Sequence, residues 1–180
     1  EDELVEIVPN FDGWIIGDDP ATKRVFYAGS QGKLRAAVKW GVGTDNVDFE
    51  AAATYKVSIE NTPKMFGAEV ADLAMCYLLG LSRDAFFIDR EVRLGGWPKP
   101  AGISLYGKTL GIVGLGDIGR CIAKRAYAHE LVIKAWDPFV EKAPEYVALA
   151  GEFPDGVNVC DFLVLACALT PQTHHIFNEK

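Results

Sequence analysis

The hydrophobic positions at the start of this chain form short apolar runs separated by turn residues and one helical stretch. Runs bounded by glycine or by other turn residues lie near 13–17, 36–40 and 57–60, and each has the length of a buried β-strand. A short helix is predicted to begin at Asp48, between the second and third runs. The pattern therefore predicts an alternating α/β unit over residues 1–66.

A second pattern begins at Gly67. From there to about Leu94, apolar residues recur at three- and four-residue steps with no proline, which predicts one long helix. The following segment, "GGWPKPAGISLYG" (95–107), contains four glycines and two prolines and indicates a boundary between two units. We therefore predict that one unit ends and another begins within this segment.

The pattern after this boundary predicts a βαβ unit and further elements. A strand and a turn are expected in 108–116, a helix in 117–129 and a second strand in 131–137. We also expect a helix in 142–151 and a buried strand in 161–169. A doubly wound sheet of six strands needs more residues than these, so the prediction is an incomplete Rossmann-type parallel sheet.

Composition narrows the class of protein. Hydrophobic residues make up 49% of the chain and charged residues 24%, as in soluble globular proteins. The net charge is −7 and basic residues form no cluster, so no nucleic-acid partner is expected. No apolar run approaches the roughly 20 residues of a membrane helix. Single cysteines without a CxxC pair favour reduced thiols in a cytoplasmic protein and no metal site; they are Cys76, Cys121, Cys160 and Cys167.

Three glycines carry the strongest chemical signal. Gly114, Gly116 and Gly119 follow the first strand of the βαβ unit and open its helix, which is the context in which GxGxxG binds a dinucleotide. The first glycine permits the tight turn and the second leaves room for the pyrophosphate. The third lets the helix pack closely, so that helix N–H groups face the anion.

Asp137 ends the second strand of the βαβ unit, 18 residues after Gly119. Its carboxylate would accept hydrogen bonds from the adenine ribose hydroxyls and would repel a 2′-phosphate, which favours NAD over NADP. The alternative is that the glycines only shape a turn and that Asp137 only begins the "DPF" turn.

Together with further motifs, this turn resembles the NAD-dependent D-isomer-specific 2-hydroxyacid dehydrogenases. The motifs occur in the family's order and approximate spacing: "GVGTDNVD" (41–48), "NTP" (61–63), "VADLAMCYLLGLSR" (70–83), "GKTLGIVGLGDIG" (107–119), "WDP" (136–138) and "LTPQT" (169–173). The resemblance implies part of a smaller, flavodoxin-like substrate-binding domain in 1–66. It implies a crossover helix and dimerisation arm in 67–103 and an incomplete NAD-binding Rossmann domain in 104–180.

The resemblance also implies the activity and the site residues. The activity is hydride transfer between NAD and a small 2-hydroxy or 2-oxo acid, in a homodimer. Besides the glycines, the family's cofactor contacts fall on Val42, Asp117, Ile118, Asp137 and Cys167. Its substrate-carboxylate contacts, made largely by backbone amides, fall on Val42 and Gly43. A glycine loop at the end of a strand can offer amides to an anion, although it can equally be only a turn.

The family's catalytic arginine, glutamate and histidine follow the segment that matches "LTPQT". We therefore expect them beyond residue 180, assign no catalytic residue within the chain, and expect the chain as written to be inactive. The family's first strand and helix are likewise expected before Glu1, and Ala168 stands where relatives often have proline. The alternative function is a non-catalytic, NAD-responsive interaction protein like the corepressors that resemble these dehydrogenases.

Four other residues remain as weaker candidates. His129 lies near the end of a predicted helix, where a solvated histidine is common. His174 and His175 follow a turn, but no carboxylate has a spacing that would orient either imidazole. Trp40 precedes the glycine loop and either lines a substrate pocket or is buried at a strand end.

Overall fold

A computed structural model describes residues 1–178 of the chain and divides them into two α/β units. Residues 1–66 and 169–178 form the first unit, and residues 67–168 form the second. Each unit has its own hydrophobic core. Among the described residues, no helix is both long and apolar enough to cross a membrane.

The first unit contains a three-stranded parallel sheet in the order β1-β2-β3. Its elements are α1 (Asp2–Ile7), a 3₁₀ turn (Val8–Asn10), β1 (Gly13–Ile16), α2 (Lys23–Gln31), β2 (Ala36–Lys39), α3 (Phe49–Thr54) and β3 (Ser58–Asn61). The three predicted strands are confirmed, and so is the helix at Asp48, whose carboxylate accepts the N–H of Ala51 at 2.8 Å. Helices α1 and α2 were not predicted.

The second unit contains four parallel strands in the order β6-β5-β4-β7. Its elements are α4 (Gly67–Ser82), α5 (Ala85–Arg93), β4 (Thr109–Val113), α6 (Asp117–Ala128), β5 (Val132–Trp136), β6 (Val147–Leu149), a 3₁₀ turn (Val157–Val159) and β7 (Phe162–Leu165). The βαβ unit β4-α6-β5 is confirmed. In chain order the strands are arranged 3-2-1-4, as in one side and the centre of a doubly wound sheet.

The prediction of one helix from Gly67 to Leu94 is wrong. The helix stops at Ser82, and a second helix begins after Asp84, whose φ of 54° lies in the left-handed region. Aspartate tolerates that conformation better than most residues. The ring of Phe86 then packs on Gly80, where an added Cβ would lie 2.3 Å from the ring. Periodicity alone does not reveal this contact, because apolar residues recur at three- and four-residue steps through both helices.

The prediction of a helix in 142–151 is also wrong. Residues 147–149 form the edge strand β6, which pairs in parallel with β5. Pro144 accepts a hydrogen bond from the N–H of Val147 in a turn that leads into this strand. Val147 is buried in the core while the next two residues are exposed, so a single apolar side chain anchors this short strand in the core.

The core of the second unit lies between α6, α4 and the sheet. Fully buried side chains of β4 and α6, including Leu110, Ile112 and Ile122, pack with those of α4. Asp72 of α4 and Arg125 of α6 form an ion pair at 2.5 Å on the outside of this helix pair. These contacts fix the start of α6 at the end of β4, where the glycines lie.

The four cysteines are free thiols. Burial raises the pKa of the Cys160 thiol above its ordinary value. A raised pKa leaves less thiolate at neutral pH, so Cys160 is a packing residue rather than a nucleophile. Its sulfur lies at the sheet, 2.9 Å from where a Cβ on Gly111 would be.

Candidate functional site

Gly114 joins the ends of two neighbouring strands. It has a φ of 94°, and its N–H donates to the carbonyl of Trp136 at 2.8 Å. A Cβ on this residue would lie 2.6 Å from the backbone nitrogen of Cys167, just after β7. Both the backbone conformation and the close approach of Cys167 require glycine. The turn therefore lies where β4 and β7 meet, at the topological switch point of the sheet.

Gly119 brings helix α6 against the same turn. A Cβ there would lie 2.1 Å from the carbonyl oxygen of Gly114, closer than any real contact of this kind. The absence of a side chain thus permits the first turn of α6 to rest on the backbone of Gly114, as the sequence predicts.

Gly116 has a different requirement. A Cβ on this residue would have no atom of the described chain within 4 Å, and its φ of −72° is one that any residue adopts. Neither packing nor conformation explains this glycine, so the space in front of it is available to a ligand. The first amides of an α-helix also have no acceptor within the helix. This open space and these donors fit the pyrophosphate of a dinucleotide.

Asp137 supports the turn from the end of β5. One carboxylate oxygen accepts the N–H of Leu115 at 2.7 Å, and the other accepts the N–H of Phe139 at 2.9 Å. The second bond forms the "DPF" turn, which was the structural alternative. The first bond was not predicted and connects Asp137 directly to the glycine turn. The side chain is half-buried, so its remaining lone pairs are open to further donors.

Three other predicted cofactor residues, Asp117, Ile118 and Cys167, lie around the same turn, whereas Val42 belongs to the first unit. The Asp117 carboxylate lies against the start of α4, with Oδ2 buried and 2.4 Å from where a Cβ on Gly67 would be. Ile118 packs partly on the core, and Cys167 is half-buried with its backbone at Gly114. Asp117 and Ile118 are the first two residues of α6, so their backbone amides have no acceptor within the helix and can bind a ligand.

The predicted substrate loop follows β2 in the first unit. Thr62 holds its first residue: the N–H of Gly41 donates to Thr62 Oγ1 at 2.9 Å, and the N–H of Thr62 donates to the carbonyl of Gly41 at 3.2 Å. The carbonyl of Val42 accepts Asn61 Nδ2 at 3.4 Å. Within residues 1–178, the N–H groups of Val42 and Gly43 have no acceptor. Both amides are therefore available to an anion.

A cavity of about 450 Å³ lies beside this loop. Its lining residues are Asp18, Lys39, Trp40, Gly41, Gly43, Asp45 and Asn46. Trp40 is 60% exposed and contacts Phe66 edge-on, so it lines the cavity and the alternative of a buried tryptophan is wrong. Sequence reasoning missed Lys39, although a lysine at the end of a buried strand was a signal.

The histidines form no acid–base pair in the described part of the chain. His174 and His175 are exposed and contact each other, with ring centroids 3.9 Å apart. No hydrogen bond joins either imidazole to a carboxylate in residues 1–178. His129 is the exposed residue that ends α6. Within the same residues, no group of three or more possible ligands could hold a metal ion.

Comparison with known proteins agrees with this geometry. The chain is 34% identical over 188 aligned residues to D-3-phosphoglycerate dehydrogenase of Methanocaldococcus jannaschii, covering 100% of this chain and 35% of that protein. It is 38% identical over 160 residues to glyoxylate reductase of Pyrococcus horikoshii, covering 82% and 48%. The chain thus spans between about a third and a half of the length of these relatives.

The fold matches solved structures of the same group. The NAD⁺-bound 3-phosphoglycerate dehydrogenase of Entamoeba histolytica superimposes with a TM-score of 0.80 at 27% identity, over 96% of this chain and 52% of that one. The family model described as "D-isomer specific 2-hydroxyacid dehydrogenase, NAD binding domain" matches residues 75–180. This chain therefore belongs to the D-isomer specific 2-hydroxyacid dehydrogenase family, and its cofactor is NAD.

Proposed function

We propose that the protein containing this chain transfers a hydride between NAD and a small 2-hydroxy acid or 2-oxo acid. The observation that carries the proposal is Gly116, which neither packing nor conformation explains and which opens a helix of the family's NAD-binding domain. The free amides of Val42 and Gly43 support an acid as the substrate.

Each unit contributes a defined task to this reaction. When bound, NAD supplies the nicotinamide that accepts or donates the hydride. The amides at the start of α6 would bind its pyrophosphate, and Asp137 would bind its ribose. The amides of Val42 and Gly43 would hold the substrate carboxylate. The resemblance assigns the proton transfer and the charge at the reacting oxygen to a histidine, a glutamate and an arginine beyond residue 180.

This proposal also assigns the regions of the chain. Residues 1–66 are part of the substrate-binding domain, 67–103 are the crossover helix and arm, and 104–180 are part of the NAD-binding domain. Residues 169–178, at the end of this NAD-binding region, belong to the first compact unit, so the structural boundary falls after Ala168.

The test is an assay of the full-length protein and of residues 1–180 alone. NADH oxidation is followed by absorbance with glyoxylate, pyruvate and 3-phosphohydroxypyruvate. We expect turnover of at least one acid by the full-length protein and only a trace by residues 1–180. Equal rates for both would place the proton transfer within the chain, with His174 and His175 as the first candidates. NADH binding without turnover by the full-length protein would favour the corepressor-like alternative.

The role of Asp137 in cofactor choice is tested with two variants. Asp137→Asn removes the charge but keeps an oxygen that can accept the Leu115 N–H, whereas Asp137→Ala removes both. We expect wild-type protein to bind NADH more tightly than NADPH. Asp137→Asn should narrow this difference in affinity, because the repulsion of the 2′-phosphate is lost. Fluorescence titration with both nucleotides measures it.

Asp137→Ala should narrow the same difference while also lowering thermal stability. Leu115 is fully buried, so the variant leaves a buried N–H without an acceptor, at a cost of about 1–3 kcal/mol. Tighter binding of NADPH than of NADH by the wild-type protein would contradict the assignment.

Association as a homodimer is a further prediction. Leu73, Tyr77 and Leu81 follow one another at four-residue steps on α4 and are 50–68% exposed, and Trp97 in the arm is 77% exposed. Such a stripe is typical of an interface. Light scattering on the full-length protein should give a dimer mass, and Leu81→Glu should give a monomer. A monomeric wild-type protein at micromolar concentration would contradict this prediction.

The cytoplasmic location stays a prediction.

A further inference from the structure

Lys39 is the one charged residue of the described chain that is buried, with 6% of its surface exposed. Burial of an ammonium group is costly unless the charge finds partners. Its Nζ donates to the carbonyl of Gly17 at 2.5 Å, and the nearest carboxylate oxygen, on Asp18, is 3.8 Å away, beyond hydrogen-bond distance. Because the Asp18 side chain is fully exposed, solvent screens its charge.

The ammonium group therefore has spare donors. It carries three N–H groups, and within residues 1–178 only Gly17 provides an acceptor. A neutral side chain of similar length would fill the same space without the cost of desolvation. Packing alone does not explain the charge at this position.

Lys39 lies directly under the glycine loop. A Cβ on Gly41 would be 3.3 Å from Lys39 Cε and 3.8 Å from Nζ. The two residues after Gly41 present the unpaired amides of Val42 and Gly43, and Lys39 lines the cavity beside them. One buried positive charge, at the end of β2, and two free N–H groups of the loop that follows it thus lie beside the same cavity.

The charges around the cavity favour an anion at this point. The acidic residues in its lining, Asp18 and Asp45, are exposed, so water weakens their repulsion. Lys39 is desolvated, and an interaction with a desolvated charge is stronger than one with an exposed charge. A carboxylate that accepts from an ammonium and from backbone N–H groups forms charge-assisted hydrogen bonds.

We propose that Lys39 binds the substrate carboxylate together with the amides of Val42 and Gly43. This assignment rests on the proposed function, because it takes the substrate to be a 2-oxo or 2-hydroxy acid. It makes Lys39 a binding residue whose charge acts on affinity for the acid and not on affinity for NADH.

The experiment compares Lys39→Gln with wild type in the full-length protein. Glutamine keeps a donor for the Gly17 carbonyl but has no charge. We expect the KM for the 2-oxo acid to rise about 10- to 100-fold, as for the loss of a hydrogen bond to a charged group. The KM for NADH should stay within about twofold. Lys39→Arg should recover much of the affinity, and Lys33→Gln, an exposed lysine of the same unit, is the matched control.

Direct binding separates this inference from the proposed function. Oxalate is titrated calorimetrically into the NADH-saturated protein, and we expect it to bind about 10-fold or more weakly to Lys39→Gln than to wild type. If wild type turns over no 2-oxo acid, the proposed function fails, while the oxalate titration still tests Lys39. Unchanged KM and oxalate affinity in folded Lys39→Gln would overturn the inference. If that variant does not fold, Lys39→Met provides the same comparison, with circular dichroism as the check of folding.

Discussion

Replacing Gly119 with alanine is expected to destabilise the second unit by about 2–3 kcal/mol. The new Cβ would lie 2.1 Å from the carbonyl oxygen of Gly114, so α6 must move away from the turn or the turn must open. In a protein of this size the change corresponds to a fall in Tm of roughly 5–10 °C. Thermal unfolding followed by circular dichroism measures it.

The control for this variant is Gly151→Ala. Gly151 is exposed, and a Cβ there would meet no atom within 4 Å, so its Tm should stay near that of wild type. Fluorescence titration with NADH should also show weaker binding to Gly119→Ala than to wild type, because the displaced helix no longer presents its amides beside Gly116. A Tm equal to that of the control would mean that the close packing of α6 on Gly114 is not required.

Replacing Gly116 with serine is expected to weaken NADH binding by about tenfold or more while leaving stability within about 0.5 kcal/mol. Serine is at least as good as glycine at a helix N-cap, and a Cβ at this position would meet no atom of the described chain within 4 Å. They would instead occupy the space that the pyrophosphate requires. The serine hydroxyl would also accept from the same helix amides that the phosphates need.

This variant separates a ligand-binding role from a structural one, since Gly119→Ala should lower both stability and affinity and Gly116→Ser only affinity. Gly151→Ser is its control, with wild-type binding expected. Wild-type NADH affinity in Gly116→Ser would contradict the assignment of the pyrophosphate to this space.

The regular parts of the fold were predictable because local signals agree with the tertiary structure there. Strand β4 is an apolar run followed by a glycine turn, and Asp48 is both a capping residue in the sequence and a cap in the structure. The turn at Asp84 was not predictable in this way. It depends on the packing of Phe86 on Gly80, a contact that has no signature in the pattern of apolar residues.

Edge strand β6 shows a second limit of prediction from the sequence pattern. Three residues with one buried anchor carry too little periodicity to be distinguished from a helix, so pairing with β5 decides the structure. The site shows a similar division. The spacing of the glycines predicted where the dinucleotide-binding turn lies. The free amides of Val42 and Gly43 depend instead on how Thr62 holds the loop, and the burial of Lys39 depends on its contact with Gly17.

The double use of Asp137 restricts how the cofactor preference of this chain can change. The carboxylate that would discriminate against a 2′-phosphate also accepts the N–H of fully buried Leu115. A lineage, or an engineer, that removes the acid to admit NADP must provide another acceptor for that N–H. Neutral residues that retain an oxygen acceptor, such as asparagine, are therefore the accessible first steps, whereas small apolar residues require a compensating change in the turn.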